Sequence, residues 1–166
     1  SIFPTEIISP LPITATLEAI DYSGFNITCE GYSDGEISAN NVYGGNGDYI
    51  YAWYTYDGLI TGDTTQITIS NLPFGTYTVR ITDVLGCTYL DSLTLTEPDG
   101  ITLLSAELSL SPDLNFNISC YGSDDGYIDL EFAGGSGNYG FIWTGPPGAN
   151  LIGGNEDQDE LIAGDY

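Results

Sequence analysis

The sequence predicts an all-β fold built of tandem immunoglobulin-like β-sandwich repeats. Three observations carry that expectation: a long internal repeat, strict alternation of apolar and polar residues in short segments, and turn residues at close intervals.

The repeat is plain once the chain is laid against itself. Phe25-Asn26-Ile27-Thr28-Cys29 recurs as Phe116-Asn117-Ile118-Ser119-Cys120, and the Gly31 and Asp34-Gly35 that follow recur as Gly122 and Asp125-Gly126. Gly44-Gly45-Asn46-Gly47-Asp48-Tyr49 matches Gly134-Gly135-Ser136-Gly137-Asn138-Tyr139, and Trp53 matches Trp143. Leu72-Pro73-Phe74-Gly75-Thr76-Tyr77 matches Leu161-Ile162-Ala163-Gly164-Asp165-Tyr166. The spacing stays near 90 residues throughout and drifts by single positions, as insertions in loops would cause. Pro10-Leu11-Pro12-Ile13-Thr14 also aligns with Pro98-Asp99-Gly100-Ile101-Thr102. The expected organisation is therefore 1–12 as the last strand of a preceding repeat, 13–98 as a complete repeat, and 99–166 as a second repeat cut short at its C-terminus. The chain reads as a window on a longer array.

Alternation places the strands. Ile13, Ala15, Leu17 and Ala19 are separated by polar residues; Phe25, Ile27 and Cys29 share a face, as do Ile67 and Ile69. Tyr77, Val79 and Ile81 point one way with Thr78, Arg80 and Thr82 opposite, and Ile128, Leu130 and Phe132 alternate with Asp129 and Glu131. That pattern suits antiparallel sheets with one face buried and one wet. Asp34-Gly35, Gly44-Gly45-Asn46-Gly47, Asp57-Gly58, Asn71-Leu72-Pro73 and Leu85-Gly86 supply the turns. Trp53, in the middle of Tyr51-Ala52-Trp53-Tyr54, takes the central aromatic place of a sandwich core, and Tyr77, just after a glycine turn, resembles a tyrosine corner.

Composition limits function. The 166 residues hold 24 acidic side chains and one basic one, Arg80, for a net charge of −23. Such a chain repels phosphate backbones, so nucleic acid is not an expected partner, and no apolar run is long enough to insert in a membrane. With no histidine and no lysine, Ser-His and Cys-His nucleophiles and Schiff-base chemistry are excluded, leaving only carboxylate chemistry; the chain is expected not to be an enzyme.

The three cysteines carry a further expectation. Cys29 and Cys87 fall early and late in one repeat, and a disulfide between them would contribute about 4 kcal/mol in the chain-entropy model. Cys120 is the counterpart of Cys29, with its partner beyond Tyr166. This places the protein outside the cytosol; the alternative is three free thiols in a reducing compartment.

In order, Cys29-x-Gly31, Asp34-Gly35, Gly44-Gly45-x-Gly47-x-Tyr49-x-Tyr51-x-Trp53, Ile69-Ser70-Asn71-Leu72-Pro73-x-Gly75-x-Tyr77-x-Val79, Thr82-Asp83-x-x-Gly86-Cys87 and Thr96-Glu97-Pro98 resemble the SprB repeat, and the second repeat carries the first half of the pattern. The resemblance implies tandem repeats of very large adhesins on the surface of gliding bacteria, exported by type IX secretion. It implies an extracellular, structural and adhesive role in an extended stalk, with neighbouring repeats of the same chain as partners, and surface polysaccharides or lateral self-association into filaments besides. It implies no catalytic residue and no cofactor.

The competing reading is an extracellular carbohydrate-binding module. Tyr54 and Tyr56, on the aromatic strand, are its candidate glycan-stacking residues, against ordinary cross-strand packing. Other features have plainer readings. Gly44-Gly45-Asn46-Gly47 lacks the lysine of a phosphate loop and reads as a turn. Asn155-x-Asp157-x-Asp159 has the alternating oxygens of a calcium loop, but Glu160 stands where such a loop needs glycine, so a solvated acidic loop is favoured and the metal assignment stays open. Asp83-x-x-Gly86 reads as a turn rather than a cation site.

Overall fold

The computed structural model describes residues 7–111 and 115–166. The chain divides after Pro98 into two compact units. Among the described residues every regular element is a strand, and all pairing is antiparallel.

The first unit is a seven-stranded sandwich. One sheet joins β1 (Thr14–Ala19), β2 (Gly35–Tyr43) and β5 (Thr68–Leu72) in the order β1-β2-β5; the other joins β3 (Ile50–Thr55), β4 (Gly58–Thr64), β6 (Gly75–Thr82) and β7 (Thr88–Leu95) in the order β4-β3-β6-β7. Consecutive strands change sheets at the Gly44–Gly47 loop and again on either side of β5, which gives the immunoglobulin-like arrangement. Short turns join β3 to β4 and β6 to β7, whereas the antiparallel pair β1–β2 is joined by a long loop. In β3–β4 the two residues Tyr56-Asp57 make the turn, and Gly58 takes a φ of 129 that only glycine adopts without cost.

Alternation becomes packing where the strands pair. Ile37, Ala39, Ile69 and Leu72 of the first sheet face Tyr51, Trp53, Tyr77, Val79, Ile81 and Leu95 of the second, and Trp53 is wholly buried. At about 25 cal/mol per Å² of apolar surface, a fully buried aromatic or aliphatic side chain of this kind contributes about 1.5–3 kcal/mol. The outer residues Thr78, Arg80 and Thr82 stay partly open to solvent.

Two strand expectations fail. Residues 21–34 are an irregular loop, in which Ile27 alone is buried while Cys29 is exposed. The loop is held by specific bonds instead of a ladder, so alternation there marks a plug and not a strand. Ile67 precedes β5 and is exposed, whereas Ile69 is buried. Of residues 1–12, expected as a strand of a preceding repeat, residues 1–6 lie outside the described residues and residues 7–12 join no sheet.

The second unit repeats the first sheet: β8 (Thr102–Leu108), β9 (Gly126–Ala133) and β10 (Gln158–Leu161) pair in the order β10-β9-β8, mirroring β5-β2-β1. Both small sheets bulge at the same place. Asn71 and Glu160, the extra residues, take φ of 58 and 51. Phe132, Tyr139 and Phe141 pack as a cluster with ring centroids 5.6–6.3 Å apart.

Candidate functional site

The chemistry-bearing side chains gather in three places, and in each the bonds they make are with the protein itself. The first is the junction of the Gly44–Gly47 loop with the β6–β7 turn. Asp83 is buried there, and its carboxylate accepts four N–H groups: the backbone and side-chain amides of Asn46 at 2.9 and 2.8 Å, and the backbones of Leu85 and Cys87 at 3.0 and 2.8 Å. Burial pushes this carboxyl up, but the hydrogen bonds from Asn46, Cys87 and Leu85 outweigh it and hold the group below its ordinary range. Both oxygens are engaged, so Asp83-x-x-Gly86 is a turn; the Gly86 N–H donating to the Asp83 carbonyl at 3.0 Å closes it.

The glycines of this junction are there for space. A Cβ on Gly44 would stand 2.0 Å from the Pro12 carbonyl oxygen, and one on Gly134 the same distance from that of Gly100. Next to them the Gly45 and Gly135 N–H groups donate to Leu11 and Asp99 carbonyls, each at 2.7 Å. The Gly-Gly motif lets incoming backbone cross a loop at contact distance.

The second place is the outer face of the four-stranded sheet. Tyr54 pairs with Thr78 and Ala52 with Arg80. Arg80, the sole basic side chain, lies with its guanidinium carbon 5.8 Å from the Tyr54 ring centroid and donates to Asp63 at 3.0 Å. One face of Tyr54 is thus occupied by a cation. Tyr56 stands at the tip of the β3–β4 hairpin, fully exposed.

The third is the loop that carries the cysteines. Thr96 of the chain leaving β7 donates through its N–H and hydroxyl to Asn26 Oδ1, while the Thr96 carbonyl accepts the Asn26 and Ile27 N–H groups at 2.9 and 3.1 Å. The Gly31 N–H donates to Glu97 at 2.8 Å. Cys29 therefore sits at the C-terminal end of β7, and Cys87 immediately before its N-terminal end. Eight residues of strand separate those ends by roughly 23 Å, whereas a disulfide requires Cα atoms within about 7 Å. The expected Cys29–Cys87 bridge is corrected accordingly: both are free and exposed. Sequence order put them early and late in the repeat but could not show that the sandwich sends them to opposite poles. Cys120 is likewise free and exposed, in a turn closed by the Ser123 N–H on its carbonyl, as Tyr32 closes that of Cys29.

In the calcium-like segment Asp157 accepts the Leu130 N–H at 3.0 Å, the Asn155 carbonyl accepts the Trp143 indole at 2.9 Å, and Asp159 lies on β10. Among the described residues no three acidic, cysteine or histidine side chains are grouped to hold a metal ion. Sequence reasoning missed Gln158. It is buried, and its amide exchanges two bonds with the backbone of Ile152, at 2.8 and 2.9 Å, closing the acidic loop. Its place in the repeat is that of the core residue Ile69, and a polar residue at an apolar repeat position was the available signal.

The same tethers recur in both units. Tyr49 and Tyr139 donate to the Gly44 and Gly134 carbonyls, and Trp53 and Trp143 to those of Gln66 and Asn155. Tyr77 and Tyr166 donate to the Pro73 and Ile162 carbonyls. Asp34 and Asp125 accept the N–H groups of Thr28 and Ser119, and hydrogen bonding by those same residues holds both carboxyls below their ordinary range. Residues 117–148 match the family model of the SprB repeat. No curated protein and no solved structure matches the chain.

Proposed function

With an SprB repeat in the chain, we propose that this protein is a structural and adhesive segment of a bacterial cell-surface adhesin, part of an extended stalk used in surface attachment and gliding. The observation that carries the reading is the repetition of one set of tethers in two successive units. A module whose distinctive Gly, Asp, Tyr and Trp residues hold its own loops is built to be strung in series. On this reading the chain is not an enzyme, and its placement is extracellular. That placement rests on the family match, since Cys29 and Cys87 do not pair. Its partners are neighbouring repeats and surface polysaccharides, and the acidic surface keeps the stalk soluble.

The test is immunolabelling of intact source cells with antibody against this chain, alongside attachment of cells that lack the coding segment. Labelling of intact cells with loss of attachment supports the proposal. Labelling only after lysis, or unchanged attachment, overturns it.

A further inference from the structure

We propose that Asn46 is a deamidation site held latent by Asp83, so that once the Gly44–Gly47 loop opens, modification of Asn46 makes the opening permanent. The inference rests on this one loop and not on the adhesive role, so either can fail without the other.

Asn46-Gly47 is the one Asn-Gly pair in the sequence. With no Cβ beside it, the Gly47 nitrogen is free to approach the side chain that precedes it. Asn46 is exposed, so water reaches it. The reaction balances with water alone. The Gly47 nitrogen loses its proton to solvent base and bonds to Asn46 Cγ. The Cγ–Nδ2 bond breaks, and Nδ2 leaves as ammonia. Water then opens the five-membered imide at either carbonyl, giving aspartate or a chain rerouted through the side chain as isoaspartate. One water is consumed, one ammonia is released and one carboxyl is formed, with no oxidation or reduction.

The fold restrains both reacting groups. The nitrogen that must leave, Asn46 Nδ2, donates to Asp83 Oδ2 at 2.8 Å, and the Asn46 backbone N–H donates to the same oxygen at 2.9 Å. The Gly47 carbonyl accepts the Val84 N–H at 3.3 Å, so the peptide that carries the attacking nitrogen is tied to the same turn. For attack, the amide must leave Asp83 and swing towards Gly47. A hydrogen bond to a charged group resists that motion.

Once formed, the product cannot close the latch again. A carboxylate at position 46 would face Asp83 Oδ2 across the former 2.8 Å bond, and two carboxylates so close repel each other. Asp83 has little room to withdraw. Its other oxygen holds the Leu85 and Cys87 N–H groups, and Oδ2 lies where a Cβ on Gly45 would stand 2.8 Å away. The loop at stake is the one that grips the entering chain, through the Gly45 N–H on the Leu11 carbonyl and the close passage of Gly44 past Pro12. Modification therefore records that this grip has been lost. The second unit has Ser136 at the equivalent place, which carries no amide to lose.

Incubation of the 166-residue chain in mildly alkaline buffer tests this, with deamidation at Asn46 followed by mass spectrometry of peptides. Folded wild type is compared with the chain unfolded in guanidinium chloride at matched ionic strength, and with Asp83→Asn, whose fold circular dichroism checks. The folded wild type is expected to react slower than the unfolded chain by about tenfold or more, and Asp83→Asn faster than folded wild type. Equal rates in folded and unfolded wild type overturn the proposal, and so does a folded Asp83→Asn that reacts no faster than wild type. Two further variants test permanence without waiting for the reaction. Asn46→Ser removes the amide and adds no charge, whereas Asn46→Asp is the direct product. Asn46→Asp is expected to melt about 4 °C or more below Asn46→Ser at neutral pH. Equal melting of the two overturns the claim that deamidation keeps the loop open.

Discussion

The Tyr77 hydroxyl donates to the carbonyl oxygen of Pro73 at 2.7 Å, tying the first residues of β6 to the turn that delivers them. The ring is buried in the core, and burial pushes the phenol up, so the bond persists across the working pH range. Tyr166 repeats the bond to Ile162 at 2.8 Å. Tyr77→Phe keeps the ring and leaves the Pro73 carbonyl without this donor, at an expected cost of about 1–2 kcal/mol. Urea unfolding followed by Trp fluorescence measures it. An unchanged midpoint would show that the tether is incidental.

The Asp83 carboxylate links stability to pH. Its value is depressed in the folded protein, so its contribution is complete above the ordinary aspartate value of 3.8 and disappears as pH falls through the folded value. General repulsion among carboxylates affects wild type and variant alike, so the difference between them isolates this group. Asp83→Asn is expected to be less stable than wild type near neutral pH, with the gap closing on acidification. Thermal midpoints of both proteins from pH 7 to pH 2 test the sign; a gap that widens in acid refutes it.

Glu160 occupies a left-handed bulge position, φ 51, that its counterpart Asn71 fills at φ 58. Asparagine tolerates that conformation better than glutamate. Glu160→Asn is expected to stabilise the second unit by about 0.5–1 kcal/mol, and Asn71→Glu to destabilise the first by a similar amount. Hydrogen exchange resolved by residue reports the two units separately.

Gly44→Ala places a methyl group 2.0 Å from the Pro12 carbonyl oxygen on a backbone with φ 90. Neither backbone has a flexible end to move, so the loop must lift and strip Asp83 of its Asn46 donors. The expected loss exceeds about 3 kcal/mol. Gly47→Ala, whose added Cβ meets nothing within 4 Å, bears only its conformational cost and is expected to lose less. Equal losses in the two variants would remove the close-approach argument.

Much of the core is legible in the order of residues alone. Val79 and Ile81 alternate with polar residues in a run too short to be anything but a strand, and both are fully buried. Trp53 sits in an aromatic strand and fills the core centre. The hairpin at Asp57-Gly58 follows from glycine chemistry. Ile27 misleads because a single buried side chain in an irregular loop has the same local signature as one in a strand. Gln158 escapes because burial of its amide depends on the backbone of Ile152, six residues earlier across a loop whose path no periodicity encodes.

The sequence by itself determined the repeat, the all-β class and the inward face of most strands, because these follow from spacing within a few residues. Tertiary structure alone decided which ends of strands lie together. It placed the loop of Cys29 against Thr96 and Glu97 and Cys87 beside Asp83 at opposite poles, covered Tyr54 with the one cation of the chain, and made Asp83, read from the sequence as part of a turn, the acceptor of four N–H groups. The physical reason is that antiparallel pairing sends each strand back across the domain. Nearness in space is therefore fixed by which strands pair and in which register, and sheet pairing is a property of the whole unit.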